Sequence, residues 1–164
     1  MLAIIITGLL VVSGLLFVWP ASQPLRRADA ILALNGAGDT ARQDLAVSLL
    51  RRGYAPVLLF SEGAGKNDCP HYPDLRIICF DPRPARTVGE IDEAARYARS
   101  HHLRSLLVVS GRAQTTRARM LARRCFPGPV TVVSPPTPWT QVPFQVVYEW
   151  GATIRAEADS SGCS

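Results

Sequence analysis

The sequence predicts an α/β protein, built on a mainly parallel sheet of five strands with helices on both faces. Three observations predict it. Five short runs, at residues 30–34, 56–60, 76–80, 106–109 and 130–134, read as strands, the first a run of Ala, Ile and Leu without the polar alternation of a half-exposed strand, as expected for one covered on both sides. Segments with apolar residues at helical spacing alternate with them. Each run ends in turn-forming residues, as at Asn35-Gly36, Ser61-Glu62-Gly63, Asp81-Pro82, Ser110-Gly111 and Pro135-Pro136. Such alternation implies right-handed crossovers and a three-layer, Rossmann-like arrangement, in which ligands bind along the edge where the strands' carboxyl ends gather.

Ahead of this domain, residues 1–19 contain no charged side chain and are rich in Ile, Leu and Val. As a helix they would extend roughly 28 Å, about the thickness of a hydrocarbon core. Residues 1–20 therefore read as a retained transmembrane anchor, with Trp19 and Pro20 at the interface. Signal-peptide cleavage near Pro20-Ala21-Ser22 is the alternative, against which stand the long apolar run and the missing charged start. Residues 21–27 are a linker, 28–158 the α/β domain and 159–164 a polar tail. Of the 164 residues, 18 are Lys or Arg and 13 Asp or Glu, for a net charge of +5, and Lys66 is the single lysine. Arginine suits phosphate ligands or an anionic membrane surface. No basic run interleaved with aromatics points to nucleic acid.

Orientation is indicated two ways. Arg26 and Arg27 follow the apolar segment, which by the positive-inside rule holds the domain in the cytoplasm. The four cysteines point outside. Cys69, Cys79, Cys125 and Cys163 show neither CxxC spacing nor paired histidines, so no metal site is expected, and an even count in a small domain suits disulfides of an oxidising compartment. Of three pairings we favour Cys69 with Cys79, which flank one loop, and Cys125 with Cys163, which would pin the tail, each contributing roughly 2–4 kcal/mol. Buried thiols in a cytosolic domain are the alternative.

Taken in order, residues 30–34 form the first strand, and the small residues from Asn35 through Gly36 and Gly38 to Asp39 break it. Asp39 or Thr40 can cap a helix carrying Leu45, Ala46, Leu49 and Leu50, which Gly53 stops. The turn resembles a phosphate-binding loop, but it lacks GxGxxG and the Walker lysine. Residues 56–60 form the second strand. Residues 66–75 have loop composition, 76–80 form the third strand, and Thr87 with Glu90 suggests a capping box opening a helix that packs Ile91, Ala94, Ala95 and Ala98. That helix ends near His101-His102, which read as a terminus rather than a metal site.

Residues 106–109, the Ser110-Gly111 turn and a helix with Ala118, Leu121, Ala122 and Cys125 on one side anchor the site. Backbone N–H groups there, with Arg112 and Arg117, suit a phosphate or carboxylate. Residues 130–134 form the fifth strand. Residues 144–157, carrying Val147, Tyr148, Gly151, Ile154 and Arg155, form the closing helix.

The segments ADAILALNGAGDTARQDLAVSLLRRGYAPVLLFSEG, ARTVGEIDEAARYA and LLVVSGRAQTTRARM together resemble the domain shared by SanA, ElyC and YdcF, bacterial envelope proteins in which a membrane segment commonly precedes a small Rossmann-like domain. The resemblance covers about residues 28–135. It implies a role in envelope integrity or in peptidoglycan and lipid-carrier metabolism, the family's biochemical activity being generally undefined. Its pattern falls on Arg42 after the Gly-rich turn, on Ser61, Glu62 and Gly63, on Thr87 and Glu90, and on Ser110, Gly111, Gln114, Arg117 and Ala118. In two places the chain departs from it. Gln114 stands where similar proteins usually have His, and an amide cannot shuttle protons near neutral pH. Ile91 follows Glu90 where Asn is frequent.

Two functional classes follow. The first is an anchored, extracytoplasmic envelope protein binding an anionic, phosphorylated ligand, such as a lipid-linked cell-wall intermediate, through Arg42, Arg86, Arg112, Arg117 and the backbone of the two turns. The second is a hydrolase or transferase acting on such a ligand, with Asp39, Glu62, Asp81 or Glu90 as acid or base. No nucleophile and base order convincingly around Ser110. A third reading, implied by S-adenosylmethionine binding in a relative, is a nucleotide-type ligand, for which only Glu62 follows the second strand in a ribose-reading position. No cofactor is indicated.

Overall fold

Five four-residue strands, all parallel, make one sheet in a computed structural model that describes residues 1–36, 39–62, 69–158 and 163. In chain order they are β1 (Ala30–Ala33), β2 (Leu58–Ser61), β3 (Ile77–Phe80), β4 (Leu106–Val109) and β5 (Val130–Val133). The helices are α1 (Leu2–Ser13), α2 (Asp39–Arg51), α3 (Thr87–Ser100), α4 (Thr115–Cys125) and α5 (Val142–Ala158). The sheet order is β3-β2-β1-β4-β5, so the chain reverses direction across the sheet between β1 and β4. That reversal opens a crevice at the carboxyl ends of these two strands.

The absence of alternation in the strands has its cause in two cores. Ile31, Ala33, Leu58, Phe60, Leu107 and Val109 pack on one face with Ala46, Leu49 and Leu50 of α2. Ala30, Leu32, Leu59, Leu106 and Val108 pack on the other with Ile91, Ala94 and Ala95 of α3 and Ala118, Leu121 and Ala122 of α4. Successive side chains point to opposite faces, and both faces are dry along β1, β2 and β4, whereas the edge strands β3 and β5 stay partly exposed because each has a neighbour on one side only. Each fully buried Ile, Leu or Val contributes about 1.5–3 kcal/mol. The end of α2 is set by Gly53 at φ +70, with Gly53 N–H donating to Leu50 O at 2.9 Å and Tyr54 N–H to Leu49 O at 3.0 Å.

The apolar N-terminus is helical in two parts. It forms α1 and then a π-helical turn (Gly14–Val18), and among the described residues no helix is long and apolar enough to cross a membrane. Residues 2–18 as one continuous helix would extend only about 26 Å, and their last turns are spent on the domain. Phe17, 1% exposed, meets Trp150 of α5 edge-on at 5.4 Å, and Trp150 Nε1–H donates to Ser13 Oγ at 2.9 Å. Thr116 Oγ1–H of α4 donates to Leu16 O at 2.6 Å, and the linker is held by Arg119 to Ala21 O at 2.7 Å.

Both favoured disulfides form. Cys69 joins Cys79 on β3, and Cys125 at the end of α4 joins Cys163 of the tail, with Cα atoms 5.9 and 5.1 Å apart. The capping box does not form. Arg86, extended at φ −149 and ψ 162, precedes the first turn of α3 without a side-chain cap, while Thr87 and Glu90 turn inward to partners far along the chain.

Candidate functional site

At the crevice, the ends of β1 and β4 deliver Asn35 and the turn from Ser110 to Gln114 beside the first turn of α3. Together with α5 these elements enclose a cavity of about 780 Å³. Gly36 sits at φ +136, and a Cβ there would meet the Arg42 guanidinium nitrogens at 3.3 Å. The glycine therefore lets the turn adopt its backbone angle while Arg42 of α2 folds beneath it. Arg42 is 2% exposed; its Nη1 donates to Asn35 O at 2.9 Å and to Gln114 Oε1 at 3.2 Å.

Gln114 is the junction of this floor. Its Oε1 faces Arg42 and, at 3.4 Å, the Gly111 N–H, while its Nε2 donates to Thr87 Oγ1 at 2.8 Å. Thr87 Oγ1 also accepts from Arg117 Nη1 at 2.7 Å. Arg117 in turn grips Glu149 of α5 with two bonds of 2.9 Å, Nε to Oε2 and Nη2 to Oε1. Arg42, Gln114, Thr87, Arg117 and Glu149 thus form one buried chain of hydrogen bonds drawn from α2, α3, α4 and α5. An amide serves this junction because it donates and accepts at once, which no charged side chain does.

Glu90 closes the floor on the β1 side. Its Oε1 accepts the Asn35 N–H at 2.6 Å, and the side chain is 4% exposed. Burial pushes its carboxyl above the usual range, against the lowering effects of the Asn35 N–H, the Ser61 side chain and the Arg42 and Arg117 charges. Gly89 beside it is required by space: a Cβ would come within 2.1 Å of Pro84 O.

Of the residues singled out from sequence, Asn35, Gly36, Arg42, Arg86, Thr87, Glu90, Gly111, Gln114 and Arg117 line this one cavity. Ser110 lies just behind it, fully buried, with Oγ 3.2 Å from Gly111 O and 3.3 Å from Thr115 Oγ1. Ser61 backs Glu90. Arg112 and Glu62 are not among the lining residues, and Glu62 lies instead with its carboxylate within 4.8 Å of the Cys69 and Cys79 sulfurs. Those sulfurs are bonded to each other and offer no thiolate to a metal. Gly38, Gly63 and the side chain of Asp39 lie outside the described residues.

Sequence reasoning missed the fourth wall. Thr140, Gln141, Phe144, Gln145, Tyr148, Glu149, Ala152 and Arg155 come from α5 and the turn before it. The signal available was a polar stripe, Gln145 and Glu149, one turn apart on the helix side away from Val147 and Ile154. None of the three histidines lines the cavity. Its ionisable lining is four arginines, Arg42, Arg86, Arg117 and Arg155, against two acids, Glu90 and Glu149. The excess of guanidinium groups gives the cavity a positive lining, and burial raises the proton affinity of Glu90 within it. No protein-family model, no curated protein and no solved structure matches the chain.

Proposed function

We propose that the chain is a membrane-attached, extracytoplasmic protein of the cell envelope that binds an anionic, phosphorylated ligand in the cavity at the carboxyl edge of its sheet. The observation that carries the ligand class is the lining charge: four arginines face two acids, one of which burial drives toward its neutral form. Arg86 and Arg155 are exposed at the rim, free of the buried network, and suited to a phosphate's oxygens. Apolar lining from Val88, Leu121, Phe144 and Tyr148 suits a ligand with an apolar portion, such as a lipid-linked cell-wall intermediate. Support for the compartment comes from the two disulfides, since bonded cysteines belong to oxidising surroundings. Attachment is inferred from the charge-free segment 1–19.

The test is calorimetric titration of the full chain with inorganic pyrophosphate, beside the double variant Arg86→Ala, Arg155→Ala. Both rim arginines are exposed, so the variant keeps its fold. A hydrogen bond to a charged group contributes about 1.5–3 kcal/mol, so loss of either should weaken binding about tenfold or more. Equal affinity in the two proteins, or no heat in either, would refute the reading.

A second reading, an enzyme acting on the same ligand, is favoured by one specific observation. Glu90 is a buried carboxyl of raised proton affinity at the floor of the cavity, the condition in which a general acid operates near neutral pH. Turnover of a phosphate ester by the full chain, abolished in Glu90→Gln, would establish it.

A further inference from the structure

Helix α5 is apolar on two sides. Its domain-facing side carries Val146, Trp150 and Ala156 beside the polar Gln145 and Glu149, while its outward stripe carries Phe144, Val147, Tyr148 and Ile154, at 77, 75, 60 and 63% exposure. These positions recur at i, i+3, i+4 and i+10, so they share one face. A soluble domain ordinarily turns such a stripe toward its core. Here the helix already meets the domain through its other side, and this stripe is left outside.

We propose that this face of α5 lies on the bilayer surface, beside the entry of the N-terminal segment. The choice of lipid over a protein partner comes from continuity with α1. That helix is apolar all round, with Leu2, Ile4, Ile5, Ile6, Leu9 and Leu10 all exposed, and a helix without a polar side fits lipid rather than one groove. The π-helical turn that follows α1 packs directly on α5 through Phe17 and Trp150, so the two apolar surfaces belong to elements in contact. Tyr148 and Arg155 on the outward side of α5 add the amphipathic ring and the guanidinium that suit the headgroup layer. Phe144 and Tyr148 line the cavity as well, so seating α5 in this way puts the cavity mouth at the boundary between water and lipid.

The inference rests on the membrane attachment proposed above, and its test separates the two. The photocrosslinking residue benzoylphenylalanine is placed singly at Ile5, at Val147 and at Glu93, a half-exposed position on α3, in the full chain. Each protein is reconstituted into vesicles of phosphatidylethanolamine and phosphatidylglycerol, irradiated, and analysed by mass spectrometry. The expected result is lipid adducts at positions 5 and 147 and their loss at 93. Adducts at 5 alone would overturn the seating of α5 and leave attachment standing. Adducts at neither 5 nor 147 would overturn both. Crosslinks from 147 to a second copy of the chain would show the face to be a protein interface and overturn the inference.

Discussion

Replacing Glu149 by Ala should loosen the roof of the cavity from its floor, because a buried ion pair joins them. Arg117 reaches Glu149 through two bonds of 2.9 Å, with side-chain exposures of 9 and 6%. Removing the carboxylate leaves a guanidinium in a dry site, bonded to Thr87 Oγ1 alone among the groups of this chain of hydrogen bonds. Breaking a buried pair from one side costs about 3–5 kcal/mol, since the surviving charge has lost water and partner together. In a chain of this length each kcal/mol moves the unfolding midpoint by about 2–4 °C, so the drop should be about 6–20 °C. Thermal unfolding followed by near-ultraviolet circular dichroism measures it. The double variant Arg117→Met, Glu149→Leu supplies the control, because an apolar pair of similar volume is often neutral or stabilising. A Glu149→Ala protein that unfolds within about 2 °C of the parent, a shift of under about 1 kcal/mol, would refute the claim that this pair holds α5. So would a double variant as unstable as the single one, since the cost would then lie in packing.

Glu90→Gln keeps the acceptor for the Asn35 N–H and removes the charge. The carboxyl's pKa is raised by folding, so its stabilising contribution is complete below the ordinary carboxylate range and is lost as pH rises through the raised value. The variant should therefore be more stable than the parent at neutral pH and lose that advantage in acid, as denaturant titrations at the two pH values would show. Gly89→Ala drives a methyl against Pro84 O, a backbone atom that cannot swing aside, and should cost about 1–3 kcal/mol or more in the same assay. The 38-residue separation of Cys125 and Cys163 corresponds to about 4 kcal/mol of chain entropy, and the 10-residue separation of Cys69 and Cys79 to about 3 kcal/mol. Urea unfolding of Cys125→Ser, Cys163→Ser against Cys69→Ser, Cys79→Ser should rank them in that order; the reverse ranking would refute the loop-entropy account.

The sheet was legible because its signal is local. Short apolar runs read as strands, three of them, β1, β2 and β4, dry on both sides and the edge strands β3 and β5 partly exposed, and punctuation by Gly, Pro and Ser places their ends within a residue or two of β1 to β5. The turns after the first and fourth strands were legible for the same reason, and topology then brings them together: a sheet that starts in the middle must open a crevice where β1 meets β4. What sequence could not supply was partnership across the chain. Thr87 and Glu90 carry the spacing of a capping box, yet Glu90 accepts from Asn35, 55 residues away, and Thr87 accepts from Gln114 and Arg117, 27 and 30 residues away. Local and distant partners compete for the same oxygen atoms. The distant ones win where burial removes water from the competition.

The same reasoning explains why Gln114, a departure from the resemblance noted in the sequence, is no mere loss of a proton carrier. Its position must satisfy an arginine donor, a backbone N–H and a threonine oxygen at once. A neutral imidazole offers one donor and one acceptor; an imidazolium offers two donors and would face Arg42 charge to charge. The amide fits this floor without a titration, while burial raises the proton affinity of Glu90 beside it. Proton exchange at this site, if ligand binding drives any, therefore runs through Glu90. An arriving anion raises the cost of its ionised form still further, so binding should take up protons and weaken as pH rises. Titrating inorganic pyrophosphate into the full chain in buffers of differing ionisation heat reads that uptake directly. Glu90→Gln should abolish it, and an uptake unchanged in that variant would place the proton elsewhere.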